Sequence, residues 1–555
     1  MNERERASSG ARAGWRTSWA VGVAAAAIVA CLPAASARAQ VPHHVVDLSV
    51  EYQTIDNFGA SDCWSMQKIG AWSQASKDRV ADLLFSRTEG IGLSCWRFNI
   101  GAGINTQTIS NPWRTVETFE TAKGQYDWTR QANERWFLGA AKQRGVPQFL
   151  AFVNSPTARM TSNGLTNCTD GQGTTNLGAT SAGEFATYMT DVLKHFRDNP
   201  DVAQRIDFDY ISPFNEPQWE WNGPGCNQEG NRADNATIKD VYNKLAAELT
   251  RQGVAATVAG VESGSLPAMV GQDAQYSFMM GKYSAAYGDY IQSFCTDAQM
   301  ATAMGETICY HSYWSDDVGT ELIQDRQALR QKMDAVAPDW KVWQSEYCVM
   351  ESGRDLTMAT ALRVARVIHY DMTLVKASAW HWWTAVSPEN YKDGLIYTDY
   401  RNPGDPETIY ESKTLWTLGN FSRFVRPGMV RVFLGGCGGD PNGLLGSAYK
   451  DPNSGEFVIV YVNMSSAPSQ ALLTVQGLAA DEYLTPVTPY ITSYEPGDDL
   501  RPLPPVAPGG PLTIPGNSVV TFTGKVMPEP TALVLLAFAA PLALRRREKR
   551  GHVRS

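Results

Sequence analysis

Metal-ligand patterns are scarce in this chain of 555 residues. Its seven His are scattered, and its nine Cys form no Cys-x-x-Cys or His/Cys ligand spacing, so a zinc site is not expected. No repeat of fixed period runs through it. Long hydrophobic runs are also missing. The two apolar stretches, residues 21–32 and 531–544, are too short to span a bilayer comfortably. Basic residues are outnumbered, 48 Lys and Arg against 57 Asp and Glu, for a net charge of −9. Nucleic acid and anionic lipid are therefore poor partners. What the chain has is apolar content of 43% with 17 Trp, ample for a sizeable core and unlike a disordered protein.

Both ends read as addresses. Arg4, Arg6, Arg12 and Arg16 precede the apolar run 21–32, and Ala37-Arg38-Ala39 follows it. This is the order of an export signal spanning 1–39, with Gln40 as the first mature residue. At the other end Pro528-Glu529-Pro530 precedes the run 531–544 and then Arg545-Arg546-Arg547. These residues resemble the PEP-CTERM sorting signal of Gram-negative bacteria, here spanning 526–555. The resemblance implies processing by an exosortase-type machinery and a transient membrane association through the tail. It also implies residence at the cell surface or in the extracellular matrix. Residues 1–39 carry a net +3 and residues 528–555 a net +4, which leaves −16 on the part between them. A neutral polymer, such as a polysaccharide, suits so acidic a partner.

Residues 56–420 alternate short apolar strands with amphipathic helices. In one helix Ser181 and Glu184 read as a capping box, and Phe185, Tyr188, Met189, Val192, Leu193 and Phe196 share a face. The strand stretches are 55–59, 94–100, 148–153, 208–213, 256–261, 307–311, 342–346 and 377–382. Eight strands with helices between them point to an α/β fold, a (β/α)₈ TIM barrel. From 421 to 525 Pro and Gly rise and helical periodicity vanishes, which reads as an attached β-sandwich. The stretch 40–55 supplies one further strand for it.

Active sites of such barrels lie at the C-terminal strand ends. The fourth strand runs into Pro213-Phe214-Asn215-Glu216-Pro217, walled by Trp219 and Trp221. A carboxylate among aromatic rings has its proton affinity raised by desolvation, as a general acid requires. Aromatic faces also stack on sugar rings. The seventh strand ends in Trp343-Gln344-Ser345-Glu346. A barrel would bring Glu216 and Glu346 face to face, and paired carboxylates are the machinery of glycoside hydrolysis. One protonates the leaving oxygen, while the other attacks the anomeric carbon or activates a water.

Together these residues resemble glycoside hydrolase family 30. The match runs from Gln53-Thr54-Ile55-Asp56-Asn57-Phe58-Gly59 through both carboxylate strands to Leu418-Gly419-Asn420-Phe421-Ser422-Arg423-Phe424-Val425-Arg426-Pro427-Gly428. The resemblance implies a retaining enzyme without metal or organic cofactor. It makes Glu216 the acid/base, Glu346 the nucleophile and Asn215 a partner of the sugar hydroxyl beside the anomeric carbon. Pro217-Gln218-Trp219-Glu220-Trp221, Gln228-Glu229-Gly230 and Asn154-Ser155-Pro156 look like the endo-β-1,6-galactanase branch. Thr157 and Arg159 depart from that branch, in a loop expected to border the cleft. Other β-glycans (β-1,6-glucan, xylan, a β-glucoside) and a non-catalytic matrix-binding role are the alternatives.

The remaining strand-end residues form a wider set. Arg97 and Tyr313 would contact the Glu346 carboxylate, with His311 as a neighbour. Asn154 and Trp219 would contact substrate. Trp382 would be the platform beneath the sugar, with Trp380 and Trp383 as rivals because alternation does not decide which ring points inward. Glu229 and Glu262 would contact substrate or form salt bridges. Cys168 and Cys226, in the loops after strands three and four, are candidates for a disulfide bracing the cleft.

Overall fold

The computed structural model describes residues 41–168, 175–221, 227–271, 285–319 and 321–528. The expected export signal, the sorting tail from Glu529 onward and Cys226 lie outside the described residues. Among the described residues no helix is long and apolar enough to cross a membrane.

Eight parallel strands make the barrel: Asn57–Ser61, Cys95–Asn99, Gln148–Phe152, Tyr210–Ser212, Thr257–Val258, Thr307–His311, Lys341–Glu346 and Ala379–Ser387. They are almost wholly buried, as parallel strands flanked by helices must be. The first five pair in sequence order, and the eighth closes on the first with Trp380 opposite Phe58. Strands six, seven and eight pair likewise. The seam between the fifth and sixth is a bridge from Ser263 to Tyr310, with Cys309 N donating to Gly260 O at 2.7 Å. All eight expected stretches are strands.

The fourth and fifth strands are the short ones, and the reasons are local. Pro213 has no N–H to continue the ladder. Gly260 has φ +150, and a Cβ there would lie 1.8 Å from the Tyr242 hydroxyl. The helix Ala182–Arg197 forms as its periodicity predicts, but its capping box does not. The Ser181 side chain caps nothing, because Glu184 is drawn instead to Lys123 and Arg159.

The second body is a β-sandwich built from one continuous hydrogen-bonded sheet. The strand His43–Thr54 pairs antiparallel with Val430–Gly435 and parallel with Ser469–Gln476, so the N-terminal stretch does join it. Alternating side chains, among them Val46, Phe457, Ile459, Tyr461, Val520 and Phe522, fill its core. The boundaries extend slightly past expectation. The helix Lys413–Ser422 ends two residues beyond 420, and the last strand, Ser518–Pro528, reaches the first Pro of the tail motif. Asn420 fastens the two bodies: its Nδ2 donates to Tyr490 O at 3.1 Å, and its carbonyl accepts from Thr521 Oγ1 at 2.6 Å.

Candidate active site

At the end of the fourth strand the backbone turns left-handed at Glu216, φ +47. Glu216 N donates to Glu262 O at 2.9 Å, and its carbonyl accepts from Trp219 N at 3.1 Å and from Trp221 Nε1 at 3.0 Å. Trp221, Glu262 and Trp314 are also left-handed, and non-glycine residues hold that conformation only when their surroundings impose it. The turn aims the Glu216 side chain across the barrel mouth toward Glu346.

His311, at the end of the sixth strand, joins three carboxylates. Its Nδ1 lies 2.8 Å from Glu216 Oε1 and 3.5 Å from Glu346 Oε1, and its Nε2 lies 3.0 Å from Glu262 Oε2. With a carboxylate on each nitrogen, the ring is best matched as an imidazolium, which donates from both. Burial alone would oppose that charge, but Glu346, Glu216 and Glu262 outweigh it and raise His311 to about 9. Glu262 is driven the other way. Burial would raise it, yet Arg97, His311 and the Ser345 hydroxyl bring it down to about 2. Burial pushes the Glu216 carboxyl upward, against the pull of His311.

Glu346 is held from two sides. Arg97 Nη1 donates to its Oε2, and the Tyr313 hydroxyl donates to its Oε1 at 2.9 Å. The same guanidinium donates through Nη2 to Asn215 Oδ1 at 3.0 Å, lies 3.5 Å from Glu262, and stacks 3.7 Å from the Phe152 ring. Arg97, Asn215, Glu216, His311, Tyr313 and Glu346 therefore meet in one cluster, as their strand-end positions predicted. One atom each of Glu216, His311 and Glu346 lies within 4.8 Å of the others, a spacing that also suits a metal ion. Within the cluster those atoms already have partners: both His311 nitrogens face carboxylates, and Glu346 is bound by Arg97 and Tyr313.

The cluster floors a cleft of about 650 Å³ walled by Trp64, Trp113, Trp219, Trp221, Trp314 and Trp383. Trp64 meets Trp383, and Trp219 meets Trp314, edge to face at 5.2 and 5.4 Å. Trp383, not Trp382, lines it. Trp382 is buried, with its Nε1 donating to Asp393 O at 2.7 Å. The register explains the correction. Trp382 pairs with Ala60 and Thr384 with Ser61, so an extra residue bulges at Trp383 and re-aims it.

Two further expectations need correction. Asn154 is 1% exposed and does not line the cleft; its Nδ2 turns beneath Cys63 Sγ and Asn99 Oδ1, 3.5 Å from each. Thr157 and Arg159 border a separate cavity, not the catalytic cleft. Glu262 takes the salt-bridge role. Glu229 is wholly buried, accepts from Val116 N at 3.0 Å, and is pushed by burial to about 8. Cys168 is described but Cys226 is not, so their pairing lies outside the described residues. Sequence reasoning missed Trp64, Trp113 and Trp314. Trp314, directly after Tyr313, carried a readable signal, whereas Trp64 and Trp113 sit in loops that only the fold brings to the cleft.

A barrel with two buried carboxylates in an aromatic cleft at the C-terminal strand ends is the build of a glycoside hydrolase, and this protein is one. The family model for O-glycosyl hydrolase family 30 matches residues 42–397, and the chain belongs to that family. It is 24% identical over 487 residues to an endo-β-1,6-galactanase of Hypocrea rufa, covering 82% of this chain and 89% of that one. A conserved exported protein from Bacteroides fragilis superposes with a TM-score of 0.75 at 30% identity, over 87% of this chain and all of that one. The catalytic domain of a family 30 xylanase C from Talaromyces cellulolyticus shares the fold, with a TM-score of 0.62 at 20% identity over 87% of this chain and all of that one.

Proposed function

We propose that the protein is an exported, retaining, endo-acting β-glycan hydrolase whose substrate is β-1,6-galactan. Glu346 attacks the anomeric carbon while Glu216 protonates the departing glycosidic oxygen. The C–O bond to the leaving sugar breaks as the ester to Glu346 forms. Glu216, now a carboxylate, takes a proton from water, and the resulting attack at the same carbon releases Glu346. Asn215 meets the hydroxyl beside the anomeric carbon, and Trp219 and Trp383 stack on sugar faces. Residues 1–39 and 526–555 serve export and exosortase-type sorting to the cell surface or matrix.

The observation that carries the reading is the approach of a Glu216 oxygen to within 4.8 Å of a Glu346 oxygen at the floor of one cleft. Retaining glycosidases hold their carboxyl groups about 5–5.5 Å apart, whereas inverting ones leave roughly 6.5–9.5 Å for a water. The upward push of burial on Glu216 supports its role as the proton donor. The galactanase relative supports the choice of linkage.

The test is product analysis of the full chain and Glu346→Gln on β-1,6-galactan, β-1,6-glucan, glucuronoxylan and aryl glycosides. Short β-1,6-galacto-oligosaccharides from the parent and none from the variant are expected. Products from another glycan alone would overturn the linkage. Equal activity in the variant would overturn the role of Glu346.

A further inference from the structure

A second cavity, of about 360 Å³, opens between the loop after the second barrel strand and the loop after the third. Its chemistry is narrow. Gln107, Thr121, Thr157 and Thr166 contribute hydroxyl and amide groups, and Ile104, 57% exposed, adds an apolar edge. Among the described residues the charged groups lining it are Arg159 and Glu120, paired at 2.9 Å, with Arg159 also bound to Glu184 and Glu184 to Lys123, so the charges are spent on one another. An ionic ligand finds no unspent counter-charge among these residues, and a purely apolar one would strand the Gln107 amide without a partner. A neutral ligand rich in hydroxyls, with one apolar face, fits both conditions. The volume lies at the small end of the range of about 300–1,000 Å³ typical of ligand sites, room for a short saccharide.

The cavity is joined to the catalytic cleft through shared walls. Asn105 N, at the cavity, donates to Thr115 Oγ1 at 2.9 Å, and the adjoining Trp113 and Arg114 line the cleft. Thr166 O accepts from Gly230 N at 3.0 Å, and Gln228 beside it also lines the cleft. Two ligand openings that share the loop after the second barrel strand can engage one long molecule.

We propose that this cavity is a non-catalytic carbohydrate site that holds a neutral saccharide stretch or branch of the polysaccharide engaged in the cleft. The proposal rests on the β-glycan hydrolase reading above. Linking a weak second contact to the first raises the effective concentration of polymer at the cleft, so the site acts on long chains and not on short ones.

Gln107 and Thr121 are exposed, so Gln107→Ala/Thr121→Ala removes their hydrogen bonds without disturbing the core. Thr121→Trp blocks the mouth by bulk instead. In the full chain each variant should lower kcat/KM on polymeric β-1,6-galactan about fivefold and leave that on an aryl glycoside unchanged. Calorimetric titration of Glu346→Gln with β-1,6-galactotetraose should give two sites per chain, and one once Gln107→Ala/Thr121→Ala is added. A single site in Glu346→Gln, or equal rate losses on polymer and aryl glycoside, overturns the proposal. Failure of the galactan reading looks different, as hydrolysis by the parent chain of some other glycan in place of galactan. The same two measurements with that glycan and its tetrasaccharide then decide this one by the same criteria.

Discussion

His311 makes the sharpest energetic prediction because its charge has a stability consequence of readable sign. Its pKa is raised to about 9, against about 6.5 in an unfolded chain. A group raised on folding contributes its full stabilisation below the unfolded value and loses it as pH climbs through the folded one. The window is therefore pH 6.5 to 9. A shift of about 2.5 units is roughly 3 kcal/mol at 1.36 kcal/mol per unit. At about 2.1 cal/mol/K per residue, the roughly 490 residues from 41 to 528 unfold with about 1 kcal/mol/K, so the loss is worth about 3 °C in melting temperature. Glu229, raised to about 8, titrates in part of the same window, so the useful quantity is a difference. The melting temperature of the parent minus that of His311→Asn should fall by about 3 °C between pH 6 and pH 10. In histidine NMR one imidazole should titrate near 9 and vanish in the variant. A flat difference curve, with no imidazole titrating above pH 7.5, would refute the charged bridge.

Three other outcomes follow from the same geometry. Glu216→Gln should lower kcat/KM on polysaccharide by about 10²–10⁴-fold and spare an aryl glycoside whose leaving group needs no proton; equal losses on both would sink its assignment as the acid. Trp383→Ala should raise KM about tenfold with the melting temperature little changed. Trp382→Phe, which strands the Asp393 carbonyl, should cost about 1–3 kcal/mol in stability and leave KM alone, and the reverse pattern would show the two rings misassigned. Arg97→Met removes the cation shared by Glu346 and Glu262, so denaturant unfolding should show a loss of about 3–5 kcal/mol. An unchanged midpoint would mean that the carboxylates are neutralised by something else.

The amino-acid sequence by itself determined the eight barrel strands, because buried parallel strands must be short apolar runs and the helices between them have a different period. It also determined the reacting pair. A strand end is a position in the chain, and the closed barrel converts that position into a place on one face, so Glu216 and Glu346 converge although 129 residues separate them. Arg97, Asn215, His311 and Tyr313 were legible for the same reason. What tertiary structure alone decided is where local geometry breaks its own rules. Alternation along Ala379–Ser387 leaves three tryptophans as rivals, and a bulge opposite Ser61 selects Trp383. Asn154 stands at a strand end yet turns beneath Cys63, because packing set its rotamer. Glu184 has capping-box spacing, but two cations distant in sequence claim its carboxylate. The charge on His311 depends on three carboxylates from three different strand ends, and no one of those segments carries it alone. Periodicity is a property of neighbours along the chain and survives in the sequence. The direction of one side chain, and the charge it bears, are set by neighbours in space.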